Sequence, residues 1–305
     1  MKFEIMVEKK YEFQTIGQAF KNISDIFKNG GIINSDRETE ILLSYFLKMN
    51  RSSIYINSDR ELKVAEKLEL VDMVKKRLKR IPIQYITRHQ EFMGMDFLIE
   101  SGVLIPRPET EILVEEVIKR LKNYKCSNIL EVADLGTGTG VIAISIANFI
   151  NNITVYATDI SKNSLQIALK NAQKHDCKDK IIFLQGDLFK PFKNKIEKLS
   201  LEAIISNPPY IDSYDFKSLP PEVKNNEPKI ALFGGIDGLD YYRKIIRKSP
   251  QYLKKKGFLA LEVGAGQARK VKELILKENN FNQDIEIIKD YLGIERVLIA
   301  CRKGQ

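Results

Sequence analysis

The sequence predicts an α/β protein in which a small helical bundle precedes a mostly parallel sheet of seven strands. Apolar runs alternate with amphipathic stretches through the second part of the chain, which is typical of a parallel sheet covered by helices. The seven runs span 129–135, 153–158, 181–185, 202–206, 258–263, 284–288 and 296–301. Only the short segment DYLGIE separates the last two, so they are expected to form an antiparallel hairpin.

The first part of the chain has helical periodicity. Apolar residues from Ile16 to Phe27 fall on one helical face, and comparable faces recur up to Leu78. We therefore expect a helical bundle over 1–85, then a β-hairpin and proline-rich linker over 86–108. The α/β domain is expected over 109–305, and seven strands with a final antiparallel hairpin fit the Rossmann-like sheet of class I methyltransferases.

Composition indicates an ordinary globular protein. The 305 residues are 44% hydrophobic and 29% charged, and no apolar run approaches the length of a membrane span. The start of the chain lacks a signal-peptide pattern, and the three cysteines are scattered. These features predict a cytoplasmic protein with no membrane partner and no bound metal.

The net charge of +9 raises the question of a nucleic-acid partner. No basic stripe interleaved with aromatic residues occurs, so lysines spread over solvated helix faces are the preferred interpretation. Lys254–Lys256 precede Gly257, where we expect a helix to end, since cations are favoured at helix C-termini. We expect a monomer without a stable nucleic-acid partner.

A glycine-rich turn follows the first predicted strand. Glycines there allow a sharp turn and close approach of the backbone to a ligand at a helix N-terminus. Asp159, at the end of the next strand, can accept both hydroxyls of a ribose. The candidate contacts to such a ligand are Asp134, Gly136, Thr137, Gly138, Thr139, Gly140 and Asp159.

The glycines alone do not identify the nucleotide. Gly138-x-Gly140-x-x-Ala143 also satisfies a dinucleotide pattern, so a nicotinamide dehydrogenase is an alternative, and a purely structural turn is another. Past the third strand, Asp187 could accept from an adenine amino group while Leu188 and Phe189 cover the ring. The alternative for this stretch is a turn that contains a core phenylalanine.

The run SNPPYI, residues 206–211, follows the fourth predicted strand. Proline fixes φ and has no N–H, so this segment is stiff and offers carbonyl groups without competing donors. It resembles the signature of methyltransferases that modify planar –NH₂ groups, although a rigid turn is the structural alternative. With Asp134, Asp159 and Asp187, it favours S-adenosylmethionine as cofactor, with S-adenosylhomocysteine as product.

A planar –NH₂ nitrogen is a poor nucleophile because its lone pair is delocalised. Two acceptors, the side-chain oxygen of Asn207 and the carbonyl of Pro208, can hold both N–H groups and turn the lone pair toward the methyl carbon. Both also favour the positive charge that develops on the nitrogen. We assign catalysis to Asn207, Pro208 and Tyr210, which can pack on the planar group, and substrate contacts to these three and Pro209. No general base is expected.

Several longer motifs closely resemble the HemK family, the protein-(glutamine-N5) methyltransferases that modify peptide-chain release factors. They are PIQYITRHQEFMGMDFLIESGVLIPRPETEILVE (82–115), ADLGTGTG, SNPPYI, NEP (226–228), ALFGGIDGL (231–239) and LEVGAGQ (261–267). The resemblance covers roughly residues 15–302. It implies release factors as partners and the glutamine of their Gly-Gly-Gln motif as methyl acceptor.

The resemblance also implies roles for particular residues. Cofactor contacts are implied for the loop 136–140, Asp159, Asp187, Leu188 and Asn207. Leu188 stands where some relatives have an aromatic residue.

Substrate contacts are implied for residues 207–210. The segment IPRPET (105–110) is implied as a wall of the pocket near the methionine end of the cofactor, with a domain linker as the alternative. We expect Arg107 to make a structural ion pair and the bundle 1–85 to bind the release factor, because a glutamine amide is too small to give specificity by itself.

Two other functions remain open. A DNA or RNA amino-methyltransferase, acting on adenine N6 or guanine N2, would want a basic target-recognition domain, whereas the bundle is small and mixed in charge. A release-factor-binding protein without catalysis is the third possibility. The intact glycine loop and Asn207–Tyr210 argue against it.

Overall fold

The computed structural model describes residues 13–124 and 129–304, so the first twelve residues and Cys126 lie outside the described part. The chain divides into two compact units. One comprises the chain up to Arg88 together with Pro221–Asn226, and the other comprises His89–Pro220 and Glu227 onward.

The first unit is helical. Its core consists of apolar side chains spaced three or four residues apart, of which Ile23, Phe27, Leu42 and Leu43 are fully buried. Each such side chain contributes about 1.5–3 kcal/mol when buried. The helices are α1 (Ile16–Asn29), α2 (Ser35–Leu47), α3 (Arg51–Ile56), α4 (Val64–Leu78) and α5 (Ile83–Thr87).

A cluster of ion pairs connects the segment Pro221–Asn226, which is distant in sequence, to the helices of the first unit. The side chain of Arg77 is 5% exposed and binds Glu38 and, at 3.3 Å, Glu222. Arg80 also contacts Glu222, with 3.0 Å between Nη1 and Oε1. Asn226 Nδ2 donates to the carbonyl of Arg80 at 3.0 Å. These bonds explain why Pro221–Asn226 groups with the helices rather than with its neighbours in sequence.

The second unit contains the seven-stranded sheet, which confirms the predicted fold. A separate two-stranded hairpin precedes it. The strands are β1 (His89–Phe92), β2 (Met95–Leu98), β3 (Leu130–Leu135), β4 (Ile153–Asp159), β5 (Ile181–Gln185), β6 (Leu201–Ser206), β7 (Leu253–Glu262), β8 (Phe281–Lys289) and β9 (Glu295–Arg302). Their order in the main sheet is β5-β4-β3-β6-β7-β9-β8, and only the pairs made by β9 are antiparallel.

The helices of the second unit lie between its strands in the sequence. They are α6 (Glu109–Lys122), α7 (Val141–Phe149), α8 (Lys162–Lys174), α9 (Asp215–Ser218), α11 (Lys229–Leu232), α12 (Asp240–Lys248) and α13 (Ala268–Lys277), while α10 (Pro221–Asn226) belongs to the helical unit. Within the described residues, no helix combines the length and apolarity needed to cross a membrane.

The expectation that Lys254–Lys256 end a helix is wrong. The helix α12 stops at Lys248, and a 3₁₀ turn that contains Pro250 follows it. Proline lacks the N–H needed to continue an α-helix. The lysines instead begin β7, where the Lys254 ammonium binds the buried carboxylate of Glu202.

The sheet brings two loops together. From β3 the chain passes outward to β4 and β5, then returns to β6 on the other side of β3. A reversal of this kind opens a crevice at the carboxyl ends of the strands. Here it lies between the segments that follow β3 and β6, and Ser206 Oγ donates to the Leu135 carbonyl at 2.7 Å between them.

Candidate active site

A cleft that is partly open to solvent occupies this crevice. Its walls come from the glycine loop, the ends of β4 and β5, the Asn-Pro-Pro segment and the proline-rich segment before α6. Lining residues include Leu104, Pro106, Arg107, Thr110, Gly136, Thr137, Gly138, Thr139, Asp159, Asp187, Leu188, Asn207, Pro208, Pro209 and Tyr241. In the described part of the chain, no cluster of three or more His, Cys, Asp or Glu residues could hold a metal.

The glycine loop presents bare backbone to the cleft. Gly136 and Gly138 have φ values of +75° and +57°, and a Cβ at either would meet no atom within 4 Å. The loop is held by two backbone bonds to the Thr158 carbonyl, from Gly136 N at 2.8 Å and Thr137 N at 2.9 Å. A ligand can therefore approach the backbone closely, and the concave loop fits the nucleotide-bearing cofactor that the sequence predicts.

Asp134 lies behind this loop. It is fully buried, is not part of the cleft wall, and accepts a hydrogen bond from the Thr137 hydroxyl at 2.6 Å. Burial raises its pKa to about 7, and the nearby Asp159 charge acts in the same direction. In this structure, Asp134 shapes the loop through Thr137.

Asp159 lies on the cleft wall with its carboxylate oriented by backbone donors. Its Oδ2 accepts from Gly138 N at 2.9 Å and its Oδ1 from Ser161 N at 2.8 Å. Burial raises the pKa of this carboxyl, which the backbone donors oppose. Each oxygen has a second lone pair, so both can still accept from a ligand.

The stretch after β5 divides between cleft and core. Asp187 and Leu188 line the cleft. Phe189 is 7% exposed and stacks on Tyr252 with ring centroids 5.6 Å apart. Of the two alternatives for Phe189, the structure shows the core phenylalanine and not the cover of a bound ring.

The Asn-Pro-Pro-Tyr segment also divides. Asn207, Pro208 and Pro209 line the cleft, and Asn207 Nδ2 donates to Thr110 Oγ1 at 3.1 Å. The ring of Tyr210 packs against the core instead of lining the cleft. The pKa of its phenol is raised well above the usual value, mainly by burial and to a smaller extent by the Glu262 charge.

Two glycines allow other backbone segments to pack against this tetrapeptide. A Cβ on Gly234 would lie 2.7 Å from both the Pro209 carbonyl oxygen and Tyr210 Cα. A Cβ on Gly238 would lie 2.4 Å from the Tyr210 carbonyl oxygen, which Gln267 Nε2 binds at 2.8 Å. The motifs ALFGGIDGL and LEVGAGQ thus have a physical role, which is to enclose the segment and fix its backbone.

The proline-rich segment forms one wall of the cleft, as expected. The Arg107 guanidinium binds Glu227, with 2.5 Å between Nη2 and Oε1, which confirms the predicted structural ion pair. The other carboxylate oxygen of Glu227 accepts from Ile105 N at 3.2 Å. The buried Glu227 therefore holds the segment on both sides of Pro106.

Sequence reasoning missed four polar residues that build the site. Besides Glu227 they are Thr110, Glu262 and Asn171, whose side chain joins the Leu98 backbone to the Thr139 carbonyl. All four are buried. Only Glu262, which stands among apolar residues at the end of β7, has a visible signal in the sequence, and that signal does not reveal its partner.

Comparison with known proteins identifies the family. Residues 18–87 match the PrmC N-terminal domain, and residues 109–218 match the methyltransferase small domain. A release factor glutamine methyltransferase of Bacillus anthracis is 37% identical over 283 residues, which cover 93% of this chain and 98% of the relative. The chain belongs to the release factor glutamine methyltransferase family. A family member from Clostridium acetobutylicum is 40% identical over 269 residues, covering 88% of this chain and 91% of its own.

Solved structures of other proteins share the fold of this family. A methyltransferase from Pyrococcus furiosus aligns with a TM-score of 0.50 at 19% identity, covering 70% of this chain and 91% of that one. A 16S rRNA methyltransferase from T. thermophilus also aligns with a TM-score of 0.50, at 15% identity, covering 70% and 50%. At such identities the likeness shows the fold alone.

The enclosed Asn-Pro-Pro-Tyr backbone leads to a prediction for Gly234→Ala. The added methyl group would meet three backbone atoms within 2.8 Å, so the segment has to shift. We expect a stability loss of about 1–3 kcal/mol and a fall in methyl transfer larger than any change in cofactor affinity. Thermal unfolding and kcat of the purified variant are the measurements. Gly304→Ala is the matched control, because its Cβ would make only ordinary 3.8 Å contacts. Unaltered kcat in Gly234→Ala would contradict the role of this close approach.

Proposed function

We propose that the chain transfers a methyl group from S-adenosylmethionine to the side-chain amide nitrogen (N5) of the glutamine in the Gly-Gly-Gln motif of release factors. This modification supports translation termination. The chain belongs to the release factor glutamine methyltransferase family, and one observation carries the proposal. This observation is that Asn207 and Pro208 line the same cleft as the glycine loop and Asp159.

The cleft residues suit the predicted cofactor, which supplies an electrophilic methyl group on a sulfonium sulfur. The loop 136–140 would hold the amino-acid part beside its bare backbone, and Asp159 would accept from the ribose hydroxyls. Asp187 and Leu188 would contact the adenine. Asp134 would act indirectly by holding Thr137. The proposed methyl transfer uses no metal ion.

The proposed chemistry is one of alignment. Asn207 Oδ1 and the Pro208 carbonyl would accept the two N–H groups of the glutamine amide, which directs the nitrogen lone pair toward the methyl carbon. Both acceptors also favour the positive charge that forms on nitrogen in the transition state. The nitrogen–methyl bond forms as the sulfur–methyl bond breaks, which leaves S-adenosylhomocysteine, and the methylated nitrogen then loses one proton to solvent. The stiffness of Pro208 and Pro209 keeps the acceptors in place, and alignment of this kind contributes several kcal/mol.

Tyr210 and Pro209 are proposed as substrate contacts. Tyr210 packs against the core in this structure, so its contribution to a planar amide would come through the backbone it fixes or through movement of its ring. We propose release factors as partners, a monomer, a cytoplasmic location, and no stable nucleic-acid or membrane partner. Nucleic acids remain the rival acceptors in the test below.

Replacement of Asn207 tests the two-acceptor arrangement. Asn207→Ala is expected to keep S-adenosylmethionine binding mostly intact and to abolish most methyl transfer, because one amide acceptor is lost. A labelled methyl donor offered with release factor, DNA and RNA, and read by mass spectrometry, measures transfer to each acceptor. Asn280→Ala, an exposed asparagine of the same unit, is the control. Full turnover by Asn207→Ala would contradict the mechanism, and wild-type transfer only to nucleic acid would overturn the proposed function.

Replacement of Asp159 tests the cofactor position. Asp159→Ala should weaken S-adenosylmethionine binding by roughly 1.5–3 kcal/mol for each charged hydrogen bond lost. Isothermal calorimetry gives the affinity, and the unfolding temperature reports the separate effect of losing the bonds to Gly138 and Ser161. The exposed Asp284 provides the control variant Asp284→Ala. An unchanged affinity would show that the ribose lies elsewhere.

The proposed role of the helical unit leads to a third test. Val64 and Leu68 are 73% and 68% exposed and lie one turn apart on α4, so together they present an apolar surface that a bound release factor would cover. The double variant Val64→Gln, Leu68→Gln is expected to raise KM for intact release factor severalfold while kcat changes little. Leu292→Gln, at a leucine of the second unit that is 86% exposed, is the control. Equal KM values for the two variants would argue against release-factor binding at this helix face.

A further inference from the structure

A buried chain of hydrogen bonds connects the end of β7 with Asn207. Thr110 Oγ1 lies 2.6 Å from Glu262 Oε2, and Asn207 Nδ2 lies 3.1 Å from the same Thr110 oxygen. Thr110 is 3% exposed and Glu262 is 1% exposed. The three residues come from the start of α6, the end of β6 and the end of β7, so only the fold brings them together.

The number of available protons fixes the direction of this chain. An ionised carboxylate only accepts, so the single hydroxyl proton of Thr110 points to Glu262. The Thr110 oxygen then has only lone pairs left for Asn207, and it requires the NH₂ end of that amide. Asn207 Oδ1 is thereby turned away from Thr110, which leaves it free to accept from a substrate.

We propose that Glu262 and Thr110 are positioning residues, which hold the Asn207 side chain in the one amide orientation that presents its oxygen to the substrate. The amide rotated by half a turn would present N–H groups to a substrate nitrogen that itself bears two N–H groups. The inference rests on the proposed function for the role of Asn207 Oδ1. The hydrogen-bond direction itself depends only on the three side chains.

The location of Glu262 fits positioning better than stability. A buried carboxylate with one hydroxyl partner is costly, and an apolar residue would fill the same space at the end of β7 without that cost. The main chain at this position is already fixed, since Tyr242 donates its hydroxyl to the Glu262 carbonyl at 2.9 Å. The Glu262 side chain therefore sets the direction of the hydrogen bonds through Thr110, while the backbone and the surrounding residues provide the packing.

The charged and titratable groups around Glu262 come from every neighbouring element. Glu109 begins α6, Arg107 precedes it and binds Glu227, Arg296 on β9 binds Asp290, Tyr210 follows β6, and Tyr242 lies on α12. Burial raises the pKa of Glu262 to about 7; Glu109 acts in the same direction, while Thr110, Arg296 and Arg107 oppose it.

Protonation of Glu262 removes the directional constraint. A protonated carboxyl can donate to Thr110, whose hydroxyl is then free to donate toward Asn207 Oδ1. Both amide orientations become possible, so the fraction of enzyme that presents the oxygen falls. Methyl transfer is therefore expected to decrease as the pH falls through about 7, beyond any effect on cofactor binding.

The first experiment compares Thr110→Val with Thr110→Ser in the full-length protein. Valine keeps the shape but removes the hydroxyl, and we expect kcat on release factor to fall about tenfold to hundredfold. The affinity for S-adenosylmethionine should remain within about twofold. Serine restores the hydroxyl and is expected to recover most of the lost kcat. Ser249→Ala, which deletes a buried hydroxyl bond to the Ile245 carbonyl, is the matched control. An unchanged kcat in Thr110→Val overturns the proposal.

The second experiment does not depend on methyl transfer. The side-chain amide resonances of Asn207, assigned by their loss in Asn207→Ala, are followed by ¹⁵N NMR between about pH 6 and 8, around the pKa of Glu262. We expect a pH-dependent shift in the wild type and its loss in Glu262→Gln, which is isosteric and uncharged. A pH-dependent shift that persists in Glu262→Gln overturns the proposal that Glu262 acts on the Asn207 amide through Thr110. An absence of wild-type methyl transfer to release factor, with the NMR result as expected, would overturn only the proposed function.

Discussion

The constraint on which the site depends is the pairing of β3 with β6. These strands are neighbours in the sheet although more than sixty residues separate them in sequence. Their register aligns Asp134 with Ile205, so the glycine loop and the Asn-Pro-Pro-Tyr segment begin at the same level of the sheet. The glycine loop and the Asn-Pro-Pro-Tyr segment therefore meet at one edge of the sheet, and their relative position follows from the sheet register.

Around this pairing, hydrogen bonds from polar side chains hold the loops of the site, whose positions the sheet alone does not determine. Glu227 holds the proline-rich wall, and Asn171 joins the hairpin to the glycine loop. Gln267 holds the Tyr210 carbonyl, and Glu262 acts on Asn207 through Thr110. Each of these bonds joins segments far apart in sequence, so the pocket is rigid because of tertiary contacts rather than local turn preferences.

The fold was predictable because its signals are local. Alternating apolar runs gave the strands, and a connection too short for a helix gave the final hairpin. The sequence also drew attention to the glycine loop and Asn207–Pro209, which the structure brings to one cleft, since their residue types are unusual at strand ends. The Glu262–Thr110–Asn207 chain was not found, because pairing of buried polar groups depends on which strands and helices become neighbours. The sequence left Phe189 between a ring contact and a core position for the same reason, since an aromatic residue in a loop can face either core or cleft.

The membership of Pro221–Asn226 in the helical unit changes what counts as a module in this chain. After the Asn-Pro-Pro-Tyr segment, the polypeptide enters that unit again at Pro221 and leaves it after Asn226. Arg77 and Arg80 bind Glu222 there. A chimera that exchanged residues 1–88 alone would place a foreign pair of arginines opposite a native Glu222. Recombination between relatives therefore has to exchange two separate stretches of sequence together, and the two stretches are expected to change in step as members of the family diverge.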